Sequence, residues 1–514
     1  MTTVPTSRAA RQWCTGTVSV DCPRWNPPKP LREVVRSLGR SAELVGSGDA
    51  AVTGVNQDSR LVRAGDLYAA LPGQHRHGVA FAAEAASHGA VAVLSDRECG
   101  VLPTIVVDDP RRALGPLASW IYGDPSGSLD VYGVTGTNGK TSTAYLLDAG
   151  LRAAGVAAGL VTGITVRGPN GSRTAIRTTP EACELQQTLA AFTEQGTDAV
   201  AMEVSSHGLA LYRIDGTFFR VGLFTNLARD HLDFHPDMDA YFAAKARLFD
   251  PGRCATAAIG IDDEFGRRLA AAVTVPRLTF SSTTVAADIH ASAVHADEGG
   301  TSFTLQGAAE RKSVRLRLLG VHQVDNALAA ISALAARGVD LDAAIAGMEN
   351  LDTVPGRLEA VDVGQPFLAF VDYMHNTAGQ RRLFPYLRSL TRGRVFAVVG
   401  ATGERDPGKR APLGATAACF ADTVIVTDES PYSEDAGRLR EDVARGARAG
   451  GDAEVLVVPD RAEAILTAVG LAGPGDVVVV AGRGHDPVQE YGGHRRVFDD
   501  RVALREALLR LAAP

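Results

Sequence analysis

Short β-branched runs alternate along most of this chain with stretches whose apolar residues recur every three or four positions. That is the pattern of strands followed by helices in an α/β protein. Residues 131–134 form one such run, and Ala144, Leu147 and Leu151 then recur at helical spacing until Gly155 stops them. The same reading predicts a strand at 67–71, a helix at 81–88 and a strand at 90–94, with Gly65-Asp66, Pro72-Gly73 and Gly89 as turns. Strands at 367–371, 395–399, 423–426 and 477–480, separated by helical stretches, predict a doubly wound domain. Residues 288–317 alternate with period two, which predicts antiparallel strands at an edge.

A chain of 514 residues is too long for one core. The elements group into three α/β domains after a tail at 1–30 that is expected to be mobile: a small one at 31–127, a central parallel-sheet one at 128–352, and a Rossmann-like one at 353–514. Gly123-Asp-Pro-Ser-Gly-Ser128 reads as the first linker. With 45% hydrophobic and 22% charged residues the composition is that of a soluble globular protein, and a net charge of −7 argues against nucleic acid as the main partner. Six scattered cysteines, none paired at metal-ligand spacing, suit a reducing cytoplasm, and most are expected to be small core residues. No apolar run reaches the ~18 residues of a membrane span. The first 28 residues lack an apolar core, so no signal peptide is expected and the predicted location is cytoplasmic.

Chemistry concentrates at Gly136-Thr137-Asn138-Gly139-Lys140-Thr141, between the 131–134 strand and the helix after it. Strand, glycine loop, Lys-Thr and helix make a phosphate cradle. Backbone N–H groups face the phosphates, Lys140 neutralises their outer charge and the Thr141 hydroxyl reaches a Mg²⁺. The usual formula has a glycine six residues before the lysine; here that position is Val134.

Other strand ends deliver polar groups. Glu203 closes the run at 200–203, a position that faces the ligand crevice of parallel sheets unless it merely caps the next helix. The run at 221–225 ends in Asn226-Leu-Ala-Arg-Asp-His231-Leu-Asp233. Lys245 lies three or four residues from Tyr241, Phe242, Leu248 and Phe249, so it faces the core. Its stem either snorkels to water, or the amine reacts with CO₂ and holds Mg²⁺ as a carbamate. Asn326 opens a helix, where it reads a base or caps. In the C-terminal domain four strand ends, at Asp372 to Asn376, Gly400 to Asp406, Asp428 to Tyr432 and Ala481 to Asp486, converge on one face as a binding site. Ser59 and the loop Gly73–His75 bind a ligand or simply turn the chain.

The motifs Gly136 to Thr141, Thr178-Thr-Pro-Glu181, Met202-Glu-Val-Ser-Ser-His-Gly-Leu209, Asn226-x₃-Asp-His-Leu-Asp233, Ala244-Lys-x₂-Leu-Phe249, Pro355-Gly-Arg357, Asp372-Tyr-x-His375 and Gly482-x-Gly-His485 together resemble the Mur ligases. Within that family the chain is most similar to the UDP-N-acetylmuramyl-tripeptide synthetase (MurE) branch, from about residue 50 to the end. Asp58-Ser-Arg60 with Gly65-Asp-Leu67 resembles that branch's UDP-binding domain, which folylpolyglutamate synthetases lack. The resemblance implies an ATP-dependent amide ligase acting in peptidoglycan synthesis. It activates a substrate carboxylate as an acyl phosphate, which an amino acid's amine then attacks, with small-molecule partners only and a monomeric chain. It also implies site residues. ATP is gripped by the loop 136–141, Asn326, Arg357, Asp372 and His375. Metal is held by Thr141, Glu203, His231 and a carbamylated Lys245. The UDP-muramyl dipeptide is held by Ser59, Gln74, His75, Thr178, Thr179, Ser205 and Arg213, and the amino acid by Arg405, Glu429, Ser430, Tyr432, Gly482 and Asp486.

The departures carry information too. Relatives that add diaminopimelate read Asp-Asn-Pro-Arg where this chain has Glu429-Ser-Pro-Tyr432, and a tyrosine cannot replace an arginine fork on a carboxylate. Asp486 stands where those relatives have Glu, Gln323 replaces an Asn and Leu211 a Gln, and Met374 with Asn376-Thr-Ala-Gly379 departs from the Ala-His-Thr-Pro pattern. The expected activity is addition of an amino acid, a diamino acid by resemblance, to UDP-N-acetylmuramoyl-L-alanyl-D-glutamate. The alternatives are a MurE-like paralogue making another amide in specialised metabolism, and a non-catalytic nucleotide-binding partner of another ligase.

Overall fold

The computed structural model describes residues 23, 26–73, 75–307 and 311–512. Gln74 and nearly all of the expected N-terminal tail lie outside these residues. The last part of that segment is not a free tail: Lys29–Pro30 pairs antiparallel with Ala51–Val52, and the Asn26 side chain donates to the Thr53 carbonyl at 2.7 Å. The chain divides into two compact units. One takes the described residues up to Val134 with Gly155–Gly222 and Arg247–Thr256; the other takes Thr135–Ala154, Leu223–Ala246 and the described residues from Ala257 onward.

In the first unit a five-stranded sheet runs in the order Glu43–Val45, Thr104–Val106, Ala92–Ser95, Asp66–Ala69, Gly54–Asn56. All its pairings are parallel except the first. Leu67, Leu94 and Ile105 face Leu31, Val34 and Leu117 from the helices Leu31–Ser37 and Pro110–Ile121, giving the small α/β core that the alternation predicts. The predicted linker is packed. Pro125 and Ser126 are buried, and the Ser126 hydroxyl accepts from the Phe218 N–H at 3.0 Å, so composition alone overstated its freedom. Farther along, Ala199–Glu203 runs parallel to both Asp130–Thr135 and Ala158–Val161, with Glu203 in register with Val134.

In the second unit the helix Lys140–Ala153 packs against His322–Ala335 and Leu341–Glu349. Ile289–Asp297, Gly300–Gln306 and Lys312–Leu316 form the predicted antiparallel meander. The C-terminal sheet has the order Glu359–Ala360, Leu368–Asp372, Val477–Ala481, Val395–Val399, Thr423–Val426, Glu454–Val457, and only the first pairing is antiparallel. The edge strand Glu454–Val457 escaped the sequence reading because half its positions are exposed or polar. One face packs on Thr377–Ser389, Arg410–Ala418 and Ala436–Gly450, and the other on Arg461–Leu471 and Asp500–Ala512. That is a doubly wound sheet with its strand ends at one edge. Of the described cysteines Cys183 and Cys254 are buried, whereas Cys419 is exposed. Among the described residues no helix is long and apolar enough to cross a membrane.

Candidate active site

The phosphate loop turns on two glycines where any side chain would be strained. Gly136 has φ +146°, and a Cβ there would stand 1.9 Å from the Thr225 hydroxyl; Gly139 has φ +88°, and its Cβ would stand 2.3 Å from Asn326 Oδ1. Left-handed backbone is costly for residues with a side chain. Around them the loop is tied down: Thr137 N–H donates to the Asn226 carbonyl (2.9 Å), Asn138 N–H to Asn226 Oδ1 (3.1 Å), and the Thr225 hydroxyl to the Asn138 carbonyl (2.7 Å). The helix begins at Lys140, directly after Gly139, so its first N–H groups face the loop's concave side. Lys140 Nζ folds back on the carbonyls of Gly136 (3.0 Å) and Thr137 (2.9 Å).

Lys245 is buried, as its helical spacing predicts, on Met238–Ala246. It does not snorkel. Its Nζ donates to the Gly136 carbonyl at 2.8 Å and lies 4.7 Å from the centre of the Tyr241 ring. Burial, with the Lys140 ammonium adding to it and Asp230 opposing, pushes its pKa well below the ordinary lysine value. The Tyr241 hydroxyl in turn meets Thr137 Oγ1 at 3.1 Å.

Arg357, after the left-handed Gly356, reaches the start of the helix that follows the loop. Its Nη2 donates to Thr141 Oγ1 at 2.9 Å, and its guanidinium lies 4.4 Å over the Tyr373 ring. The Asp372 carboxylate accepts from the backbone N–H groups of Leu358 (2.6 Å) and Met374 (2.7 Å), which fixes the strand end next to Arg357. Burial raises its pKa, with Arg357 opposing. His375 Nε2 meets Asp230 Oδ2 at 3.0 Å. Asp230, 2% exposed, also accepts from the His231 N–H (3.0 Å) and lies 3.6 Å from Lys409 Nζ. Burial pushes the Asp230 carboxyl up, but the His375, Lys409 and His231 charges outweigh it and hold it well below the usual carboxylate range. His231 itself adopts φ +56°. Asn326 Oδ1 sits against Gly139 while its Nδ2 donates to Gln323 Oε1 at 2.9 Å, so it is a wall of the loop rather than a helix cap.

The amino-acid residues expected from the sequence also meet. Glu429 is buried and accepts from the Thr402 hydroxyl. A Cβ on Gly482 (φ +111°) would stand 2.8 Å from Glu429 Oε2, so Gly482 is what leaves room for that carboxylate. Ser430 Oγ accepts from Arg483 Nη1 (3.1 Å), and Arg483 rests on the buried pair Arg461–Asp500 (2.7 Å). Tyr432 is held at φ +54°, its N–H donating to the Glu490 carbonyl at 3.0 Å. Asp486 Oδ1 accepts from Val488 N–H (3.1 Å); burial raises its pKa, Arg483 opposes and the charge of Glu429 adds. Arg405 lies 3.6 Å from Asp233.

In the first unit Thr179 Oγ1 donates to the Glu203 carbonyl (3.1 Å) and meets Ser205 Oγ (3.0 Å). Glu203 Oε1 accepts from Gly163 N–H (2.9 Å), Thr178 stands against Gly163, and Arg213 pairs with Glu181 (2.8 Å). The Ser59 hydroxyl donates to Glu84 at 2.5 Å, and His75 is exposed.

Three family models match the chain: the Mur ligase family catalytic domain over residues 51–119, the Mur ligase middle domain over 134–334 and the Mur ligase glutamate ligase domain over 356–484. A protein of Streptomyces coelicolor named UDP-N-acetylmuramoyl-L-alanyl-D-glutamate–2,6-diaminopimelate ligase is 46% identical over 497 residues, 94% of this chain and 98% of that one. The chain belongs to the Mur ligase family. The UDP-N-acetylmuramyl-tripeptide synthetase of Leifsonia xyli is 41% identical over 502 residues, 93% of this chain and 98% of that protein. A solved structure titled as a UDP-N-acetylmuramoyl-L-alanyl-D-glutamate–2,6-diaminopimelate ligase superposes with a TM-score of 0.66 at 29% identity, covering 95% of this chain and all of that one.

This Mur ligase therefore has the family's three-domain architecture of mixed α/β sheets and is an ATP-dependent ligase that forms amide bonds. The sequence reading assigned no site role to Asp230, Thr402, Lys409 or Tyr241. Asp230 stands beside His231 in a strand-end motif, Thr402 lies in the predicted strand end 400–406 and Tyr241 shares the helical face of Lys245; Lys409 alone had no signal, because only the tertiary fold brings it to Asp230.

Proposed function

We propose that this Mur ligase adds an amino acid to UDP-N-acetylmuramoyl-L-alanyl-D-glutamate in the cytoplasm, as a monomer, during peptidoglycan synthesis. The substrate follows from the name carried by the 46%-identical relative. The observation that carries the chemistry is Lys245. Its buried amine lies 2.8 Å from the phosphate-loop carbonyl of Gly136, and burial together with the Lys140 charge lowers its pKa well below the ordinary lysine value, which favours the uncharged form. An uncharged amine attacks CO₂, forming an N–C bond and releasing a proton to water, and so becomes a carbamate. That places an anion beside the phosphate cradle, where a divalent metal would offset its charge and that of the phosphates.

Thr141, Glu203, His231 and a carbamylated Lys245, of hydroxyl, carboxylate and imidazole type, are the residues that would hold Mg²⁺, which would neutralise phosphate charge when bound. The chain's own groups do the rest. The loop N–H groups and Lys140 orient the phosphates, and Arg357 balances charge beside Thr141. Thr178, Thr179, Ser205 and Arg213 hold the muramyl dipeptide, and Ser59, Gln74 and His75 the UDP. The substrate carboxylate attacks the γ-phosphorus, ADP leaves, and the amine then displaces phosphate from the acyl phosphate through a tetrahedral intermediate. Positioning supplies most of the acceleration in such a transfer.

A second reading, amide formation with a different amine in specialised metabolism, is favoured by one feature. Where an arginine fork would grip a distal carboxylate, the loop offers Tyr432, with buried Glu429 beside it. ATP-dependent phosphate release with the UDP-muramyl dipeptide and a panel of amino acids separates the readings. Release confined to diamino acids supports the first. Release only with another carboxylic acid supports the second, and none under any condition removes both.

A further inference from the structure

The phosphate loop is gripped from two sides, and only one of them follows from its sequence motif. On one side stands Asn326 on the helix His322–Ala335. On the other stands Asn376, which is 1% exposed and begins the helix Thr377–Ser389. Asn138 and Asn376 face each other as a reciprocal amide pair: Asn376 Nδ2 donates to Asn138 Oδ1 at 3.0 Å, and Asn138 Nδ2 donates to Asn376 Oδ1 at 3.3 Å. The second donor bond of Asn376 goes to Asp230 Oδ2 at 3.2 Å, and its oxygen also accepts from the Gly379 N–H at 2.8 Å. The same helix is pinned farther along, where Arg382 pairs with Asp325, the residue before Asn326.

The geometry points to Asn376 as a positioning residue for ATP: it acts through Asn138 to hold the phosphate loop in its binding shape, and it ties that loop to the strand end carrying Asp372 and His375. The chemistry of the side chain is what makes it suitable. An amide is the one short side chain that can give a proton to Asn138 and to Asp230 while accepting from Asn138 and from a helix N-terminus. A threonine or serine hydroxyl, having one proton, keeps the cap and loses the pair. An aspartate would set a second carboxylate against Asp230. The side-chain hydrogen bonds of Asn376 go to Asn138, Asp230 and Gly379 and to no backbone group of the loop, so its effect is on the order of the loop before ATP arrives. Ordering paid in advance raises affinity.

The test is calorimetric binding of ATP and ADP to Asn376→Ser and Asn376→Ala, alongside thermal melting and steady-state kinetics. Asn376→Ser should melt close to the native protein because the cap survives, yet bind ATP about five- to tenfold more weakly, the size of one or two buried hydrogen bonds. KM for ATP should rise by the same factor with kcat within about twofold of native. In an Asn138→Ala background, Asn376→Ala should add no further loss of ATP affinity, since the shared contact is already gone. Native ATP affinity in Asn376→Ser, or additive losses in the double variant, would reduce Asn376 to a helix cap and overturn the inference. The binding arm needs neither muramyl substrate nor amino acid, so its outcome is separate from that of the proposed substrate.

Discussion

The Lys245 amine stands 2.8 Å from the Gly136 carbonyl oxygen, a fully buried lysine sharing one peptide oxygen of the phosphate loop with Lys140. Two amines on one oxygen repel as ammonium ions. Burial and the Lys140 charge lower the pKa of the more buried one, which favours the uncharged amine, the form that takes up CO₂.

Lys245→Ala should lose nearly all ligase activity, and short carboxylic acids added to the assay should restore part of it by supplying the missing anion. Full activity in the variant, measured as phosphate release, would remove the carbamate from the mechanism.

The same residue predicts a pH dependence of stability. In the unfolded chain the lysine is protonated below its ordinary value of about 10.4, whereas the folded value lies well below that. The unfolded state therefore binds more protons between the two values, so this group's destabilising effect grows as pH falls from about 10 towards the folded value. In CO₂-free buffer Lys245→Met should melt higher than the native protein at pH 7, and the difference should shrink by pH 10.

Gly139→Ala should weaken ATP binding by roughly five- to thirtyfold. A Cβ at φ +88° would stand 2.3 Å from Asn326 Oδ1, so either that side chain or the loop must shift, and the left-handed backbone alone costs roughly 1–2 kcal/mol. Calorimetry measures the loss, and an unchanged affinity would mean that the loop shape tolerates a side chain there.

Arg357→Lys keeps the charge and loses both the planar fork at Thr141 and the stacking on Tyr373, 4.4 Å away. ATP affinity should fall about tenfold, the equivalent of ~1.4 kcal/mol. An unchanged affinity would mean that charge alone is recognised.

Tyr432→Arg tests the amine side. It places a guanidinium beside Glu429 and Asp486, and should shift relative kcat/KM toward amino acids with a distal carboxylate, measured in competition between lysine and diaminopimelate. If the ratio does not move, the loop 429–432 does not set the choice of amine.

Much of this was legible in the sequence. The 395–399 and 423–426 strands stand where β-branched runs predicted, because residues buried on both faces need no alternation to mark them. The phosphate loop was legible because its glycines are dictated by local backbone geometry. Lys245 was legible as buried because helical spacing fixes which neighbours share its face. These properties reside in contiguous stretches of chain. The convergence of Thr402, Glu429 and Gly482 followed from the predicted strand ends, whereas tertiary structure alone decided the meetings between other distant stretches: Asn138 with Asn376, and Asp230 with His375 and Lys409. Each depends on where separate strands end, and no spacing along the chain encodes it. Protonation follows the same division, since the sequence names a lysine or an aspartate, but only the burial and partners found after folding set the charge each one carries.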